Sequence, residues 1–305
     1  MNVSYQRVTM GKVLNFNNLL LISMVIVATI VTGGSNAPAN AETFVFTAIP
    51  DQDESKLRTR FGKVERYLAE NLGVEVKYIP VKSYAAAVTA FRNDQVQLAW
   101  FGGLSGVQAR ALVSGSEAIA QGKEDVAFVT YFIAHKSTGI NSSANFPKAM
   151  QGRTFTFGSK GSTSGRLMPE FHIRETFGKS PEDVFSRVGF SGDHSKTIAL
   201  VQSGAYEVGA TNFQVWETEL AAGKIDPKEV QVIWKTPAYP DYQWTIRGDV
   251  DMKFGAGFKA KVTHILLSMN DPDLLASFPR SGFIPASNAD YEPIRSTAKS
   301  LGLVD

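Results

Sequence analysis

The chain has no cysteine among its 305 residues, which excludes disulfides, thiolate catalysis and cysteine-based zinc sites. Histidine is scarce. The four residues, at 135, 172, 194 and 264, form neither a His-x3-His nor a His-Glu-x-x-His pattern, so a zinc enzyme is not expected. An excess of one charge is also missing, with 31 Lys+Arg against 29 Asp+Glu. That balance argues against a nucleic-acid surface and leaves any anion ligand to local chemistry. There is no repeat at a fixed period, no low-complexity tract and no long linker. The length admits one large or two medium domains with an ample core.

The apolar run from Leu19 to Val31 holds about 13 residues, short of the roughly 20 that a bilayer span needs. It follows Arg7 and Lys12 and precedes small and polar residues ending in Ala39-Asn40-Ala41. A basic n-region, an apolar h-region and an Ala-x-Ala site read as a signal peptide over 1–41, with Glu42 as the mature start. A start at Met10 would give a more typical length. No cysteine follows the apolar run, so a lipid anchor is not expected. The expected compartment is the periplasm.

Beyond residue 42 strand and helix patterns alternate. Thr43 to Ile49 reads as a buried strand, followed by a helix with Leu57, Phe61, Val64 and Leu68 on one face and Gly73 as its stop. Val74 to Pro80 reads as a strand, and Ser83 caps a helix running from Tyr84 towards Arg92. Gln97 to Phe101 reads as a strand that Gly102 to Gly106 turns into a helix. Val184 to Phe190 and Glu207 to Ala210 repeat the pattern, each followed by a helix. The expectation is an α/β architecture with mostly parallel sheets. Phe128 to Ala134 and Val230 to Trp234 are followed by irregular segments and read as two crossings between lobes. Lobe 1 is then 42–132 completed by 239–305, and lobe 2 is 133–238.

The most informative segment is Gly158-Ser159-Lys160-Gly161-Ser162-Thr163-Ser164-Gly165, between the strand-like Arg153 to Phe157 and a helical pattern. A helix N-terminus offers unsatisfied N–H groups and about half a positive charge. Glycines let the backbone approach a ligand, and hydroxyls add donors without charge. A Gly/Ser turn with an N-cap serine accounts for the same residues. Yet Tyr84, Ser105, Ser162, Thr163, Ser164, His194 and Asn212 all fall at or near helix starts, beyond the carboxyl ends of strands, where ligands of open α/β sheets sit. Capping alone explains this recurrence poorly, since His and Tyr are poor caps.

Ser162, His194 and Asp241 could be drawn as a hydrolase triad. The chain has no Gly-x-Ser-x-Gly elbow, and a serine within a run of hydroxyls suits an acceptor cradle better than a lone nucleophile. A Walker loop fails as well. Gly178-Lys179-Ser180 lacks the glycine five residues earlier, and Gly161 is not followed by lysine.

Four segments carry a resemblance: Ala48-Ile49-Pro50-Asp51, Leu98-Ala99-Trp100-Phe101-Gly102, Gly161-Ser162-Thr163-Ser164-Gly165 and Val232-Ile233-Trp234-Lys235-Thr236-Pro237. From about Phe44 to Gly282 the chain resembles the periplasmic phosphonate/phosphite-binding proteins of ABC transporters. The resemblance implies a type II binding-protein fold, two α/β lobes on a two-strand hinge that close on a tetrahedral oxyanion. It implies ligand contacts from Tyr84, Ser162, Thr163, His194 and Asp241, the last across a one-residue gap near Tyr239-Pro240. Ser164 and Asn212 join this set from the residue reading. The implied partners are the small oxyanion and an inner-membrane permease. The protein is expected to act as a monomer, without a cofactor, a metal, nucleic acid or an enzymatic reaction.

Two departures narrow the ligand. Where phosphonate binders place a second tyrosine, this chain aligns Phe128, with Tyr131 nearby. Where aminoalkylphosphonate binders carry a glutamate, it aligns Val215, with Glu217 one helical step away. A buried cation without a carboxylate partner is costly, so a small oxyanion without an amine is favoured. Residues 102–110 also resemble a subgroup labelled as selenate binders. If Asp241 faces the ligand, like-charge repulsion disfavours selenate and favours phosphite, methylphosphonate or phosphate, which can bring a proton.

Overall fold

The computed structural model describes residues 42–304. The signal-peptide reading on 1–41 lies outside the described residues. In chain order the elements begin with β1 (Phe44–Ala48), α1 (Glu54–Leu72), β2 (Val76–Tyr78), α2 (Tyr84–Arg92), β3 (Leu98–Phe101), α3 (Gly103–Leu112) and β4 (Glu117–Gly122). Then come β5 (Thr130–His135), β6 (Thr154–Phe157), α4 (Met168–Phe177), α5 (Pro181–Val184), β7 (Arg187–Phe190), α6 (His194–Gln202), β8 (Val208–Asn212), α7 (Phe213–Ala221) and β9 (Val230–Lys235). The chain ends with β10 (Gln243–Ile246), α8 (Val250–Phe254), α9 (Phe258–Leu267), α10 (Pro272–Ser277), β11 (Phe283–Pro285) and α11 (Glu292–Ser300).

The strands form two sheets, ordered β11-β4-β10-β3-β1-β2 and β7-β6-β8-β5-β9. Each is covered by helices whose apolar faces the sequence spells out. In α1, Leu57, Phe61, Val64 and Leu68 are buried, Asp53 caps the start by accepting from Ser55 and Lys56 N–H, and Gly73 ends the helix at φ 71°. Under this helix Phe46, Phe61, Trp100, Trp244 and Phe278 form edge-on and tilted aromatic contacts.

The two-lobe α/β class is as expected, but the sheets are mixed rather than mostly parallel. β1 pairs in parallel with β2 and β3, and β6 with β7 and β8. The pairings of β10 with β3 and β4, of β11 with β4, and of β5 with β8 and β9 are antiparallel. The reason lies in the crossings. Strands that feed helices run towards the cleft, whereas β5 and β10 start at the cleft, at Thr130 opposite Asn212 and Gln243 opposite Phe101, and must run away from it. The stretch Phe128 to Ala134, read as a crossing, mostly lies inside the second sheet as β5, beside β9. The expected strand from Val184 begins only at Arg187, because Pro181 opens a short helical turn at α5.

The crossings themselves are short and paired. Phe128 and Tyr239 exchange backbone hydrogen bonds of 2.9 and 3.0 Å. Asp241 N–H donates to Asp125 O at 3.0 Å, and Thr236 N–H to Thr130 O at 3.1 Å. Below them lies a buried ion pair, in which Arg280 Nε and Nη2 each reach an oxygen of Asp125 at 2.7 Å. Arg280 Nη1 donates to Phe278 O at 2.7 Å, and the Gly122 N–H caps Asp125 Oδ2 at 3.1 Å. Removing one partner of such a pair leaves an uncompensated buried charge. Asp125→Asn is therefore expected to lower unfolding stability by about 3–5 kcal/mol in a urea titration, while an Asp125→Leu/Arg280→Met pair loses much less. An unchanged midpoint for Asp125→Asn would show that the pair does not hold the crossings.

Candidate functional site

Between the sheets, helix starts converge. Tyr84 is the first residue of α2, His194 of α6, and Gly103 of α3. Ser162 caps a single π-type turn, Thr163–Leu167, that leads into α4. Tyr84, Ser162, Thr163, Ser164, His194 and Asp241 are each at most 2% exposed, and the structure brings them together.

The loop combines the capping role with donor chemistry. Ser162 Oγ accepts from Gly165 N–H at 2.9 Å, which leaves its own proton to donate elsewhere. Thr163 Oγ1 likewise accepts from Leu104 N–H, on the opposite lobe, at 3.0 Å. The first N–H groups of the turn, at Thr163 and Ser164, have no intrahelical acceptor. The glycines are needed for close approach. A Cβ on Gly165 would sit 3.0 Å from both His194 Cε1 and Ser162 Oγ. One on Gly102 would sit 3.2 Å from Asp241 Oδ1 and 3.3 Å from Thr163 Oγ1.

The state of His194 follows from its neighbours. Asn212 N–H donates to Nδ1 at 3.2 Å, so that nitrogen is unprotonated and the proton of the neutral ring is on Nε2. Burial pushes the imidazole down to about 4, against the pull of Asp51, so the ring is neutral at pH 7. Nε2 lies 3.5 Å from Ser164 Oγ. This disposes of the triad drawing. Asp241 is bonded not to His194 but to Gly103 N–H, at 2.8 Å, and Ser162 Oγ serves as a cap.

Asp241 is the most constrained group. Oδ1 accepts from Gly103, but Oδ2 is buried without a protein partner. Burial pushes the carboxyl up to about 7, opposed by the Gly103 and Thr163 hydrogen bonds. Tyr84 Oη is also buried without a hydrogen bond of normal length, and burial, reinforced by the charge of Asp51 and opposed by the nearby Ser162 hydroxyl, raises its pKa well above the usual phenol. A phenol donor and a carboxyl oxygen are thus left open in the same space as the loop donors.

Two expected site residues are otherwise engaged. Asn212 Oδ1 caps α7 by accepting from Val215 N–H at 2.7 Å, and Nδ2 donates to Tyr242 Oη at 3.0 Å. Asn212 ties the lobes together rather than offering free groups. Phe128 is fully buried and packs on Phe213 and Tyr242, with centroids 4.8 and 5.4 Å away. It forms an apolar wall where a tyrosine would place a hydroxyl. Tyr131 points its hydroxyl to Glu217 at 2.9 Å, so the nearby glutamate is already bonded within the protein. Ser105 closes the Gly102 turn by accepting its N–H at 3.1 Å.

The sequence reading missed Asp51. It is 3% exposed, Oδ1 has no partner, and its backbone oxygen accepts from His194 N–H at 3.0 Å across the lobes. The available signal was its place just after β1, at the carboxyl end of a strand. Tyr242 was missed too. It stacks on Trp100 at 5.6 Å and carries the hydrogen bond from Asn212.

Two α/β lobes on paired crossings, with helix starts converging on a buried polar cleft, are the architecture of a solute-binding protein. The comparisons agree. Residues 46–291 match the family model described as ABC transporter, phosphonate, periplasmic substrate-binding protein. A probable ABC transporter phosphite-binding protein, PhnD1 of Prochlorococcus marinus (strain MIT 9301), is 39% identical over 273 residues, 87% of this chain and 92% of that protein. The structure of PhnD1 in complex with methylphosphonate superposes with a TM-score of 0.82 at 40% identity, over 87% of this chain and all of that one. The phosphate-import protein PhnD of Mycolicibacterium smegmatis is 24% identical over 86% of each chain. The chain belongs to the periplasmic phosphonate substrate-binding family of ABC transporters, whose members bind and deliver solutes rather than turn them over.

The raised Asp241 pKa has a direct consequence for the unliganded protein. A carboxyl whose folded value lies above its unfolded value binds its proton more tightly when folded, so the stability it contributes is lost as pH rises from about 4 through about 7. Asp241→Asn is expected to raise the melting temperature at pH 8 by several degrees and to leave it nearly unchanged at pH 4. Equal shifts at both pH values would mean that the carboxyl is ionised and well solvated in the fold.

Proposed function

We propose that the cleft captures a small phosphorus oxyanion (phosphite, methylphosphonate or phosphate) for import by an inner-membrane permease. Tyr84, Ser162, Thr163, Ser164 and the Nε2–H of His194 would donate to its oxygens, with Asp241 Oδ2 facing a P–OH. The single observation that carries this reading is the pair of buried open groups, Tyr84 Oη and Asp241 Oδ2, opposite a loop of neutral donors. The names of the Prochlorococcus relative and of its methylphosphonate complex support the ligand class. The wall of Phe128, Phe213 and Tyr242 is aromatic and Glu217 is bonded to Tyr131, so on that side no carboxylate is open to a ligand ammonium, which favours an oxyanion without an amine.

Asp241 sets the selectivity. When ionised it only accepts hydrogen bonds, and a fully deprotonated sulfate or selenate repels it. Its raised pKa refines that rule, because below about pH 7 the carboxyl can carry the proton itself and donate to an unprotonated oxygen. Exclusion of selenate therefore holds above pH 7 and weakens below it. Closure bends the Phe128–Tyr239 pairing. The division of 42–132 with 239–305 against 133–238 places its cuts within a few residues of that pairing. We take the mature protein to start at Glu42, after cleavage at Ala41, and to act as a monomer.

Calorimetry with phosphite, methylphosphonate, phosphate and selenate tests the reading. Wild type is expected to prefer a phosphorus anion over selenate at pH 8, and Asp241→Asn to narrow that preference. Losing one hydrogen bond to a charged ligand is worth roughly 1.5–3 kcal/mol, so Ser162→Ala and Thr163→Ala should each weaken binding about 10- to 100-fold. A selenate preference at pH 8, or unchanged affinity in both loop variants, would contradict the assignment.

A further inference from the structure

Arg60 has no role in the oxyanion cleft. It lies on α1, one turn after Lys56, and is 8% exposed. Burial lowers its pKa, and the negative charge of Asp51 opposes that shift. A guanidinium carries five N–H donors in a planar fork. Arg280 offers a contrast. That equally buried side chain spends its donors on both oxygens of Asp125 and on Phe278 O. Arg60 Nε, in contrast, has no hydrogen-bond partner, and among the described residues no carboxylate forms an ion pair with this side chain. The Phe61 and Phe278 rings lie 5.9 and 5.8 Å from Cζ. They tolerate its charge but cannot accept in-plane N–H donors.

This donor-rich side chain lines a cavity of about 420 Å³ at the rim where the lobes meet. Gln52, Lys56, Thr59 and Ser277 line it from one lobe and Thr218, on α7, from the other. Its surroundings are tied across the lobes. Lys56 Nζ reaches Glu219 Oε1 at 3.3 Å, and Gln214 Nε2 donates to Pro279 O at 3.3 Å. The acidic groups nearby are Glu219, which already accepts from Lys56 and from Ser195 at 2.7 Å, and Asp51. A divalent anion would face both of these charges. Their repulsion grows with the charge of the ligand, which favours a monovalent anion.

We propose that the cavity is a second anion site, for a small monovalent anion of the halide class, held by the Arg60 fork and the Thr218 hydroxyl, since Thr59 and Ser277 already donate to Ser55 O and Asp273 O. The site is complete only when Thr218 meets α1, so its occupancy favours the closed arrangement by mass action. It does not depend on which oxyanion fills the cleft.

Bromide tests this with the mature protein. Crystals grown in bromide are expected to show an anomalous peak against the Arg60 guanidinium. In solution, bromide should raise the melting temperature above a gluconate control of equal ionic strength. Arg60→Met should abolish that increment, and Ser162→Ala, which alters the oxyanion cleft, should keep it. If Arg60→Met does not fold, Arg60→Lys, which keeps the charge but loses the fork, should weaken bromide binding about tenfold. No peak at Arg60, an undiminished increment in the Arg60 variants, or an increment lost only in Ser162→Ala would overturn the proposal.

Discussion

A carboxyl group buried against a bound anion is tolerable only with a proton between the two, and the proposed binding mode turns on that requirement. Asp241 is held at the end of a crossing by its own N–H bond to Asp125 O and by the Gly103 N–H on Oδ1. Its position is therefore set chiefly by backbone N–H bonds, with the Thr163 hydroxyl beside the carboxyl. Burial raises its pKa to about 7, so a single proton can reside on either the carboxyl or the ligand near neutrality. Among the described residues no cationic side chain bonds it, which in the proposed binding mode leaves the proton, rather than a permanent charge, as the arbiter of selectivity.

The remaining site chemistry is uncharged and follows from the same economy. The loop hydroxyls accept backbone N–H bonds from Gly165 and Leu104, so their protons are directed away from the backbone. His194 is fixed as the Nε2–H tautomer by Asn212 N–H and kept neutral by burial. Such donors, pre-oriented at helix starts, disperse the charge of an anion without bringing a counter-charge that would also attract unwanted anions. Several of these bonds cross between lobes, including Leu104 to Thr163, His194 to Asp51 and Asn212 to Tyr242. The proposed site is thus built from groups that the contact between the lobes brings together.

Much of this was legible in the residues because local chemistry dictated it. The spacing of Leu57, Phe61, Val64 and Leu68, the caps at Ser83 and Ser162, and the Gly-Ser-Thr-Ser-Gly loop each announce their element and its end. The sheet directions were less accessible. Short hydrophobic strands carry no mark of orientation, and β5 reads the same whether it runs with or against β8. Asn212 illustrates a different limit. Its position before α7 suited a ligand contact and a cap equally well, and only the Tyr242 hydroxyl 30 residues away shows where its amide goes. Asp51 was passed over for the converse reason. Its place after β1 puts it at the carboxyl end of a strand, but its burial follows from the other lobe, where His194 N–H bonds its carbonyl.

The proton shared by Asp241 and the ligand is the central claim, and proton-linked calorimetry addresses it most directly. Phosphite binding would be measured at pH 8 in buffers of different ionisation enthalpy. Both groups have largely shed their protons at that pH, so forming the complex should draw in a proton, with uptake approaching one per ligand bound. Asp241→Asn should bind with almost none. Binding to wild type without proton uptake, or the same uptake in both proteins, would contradict the account.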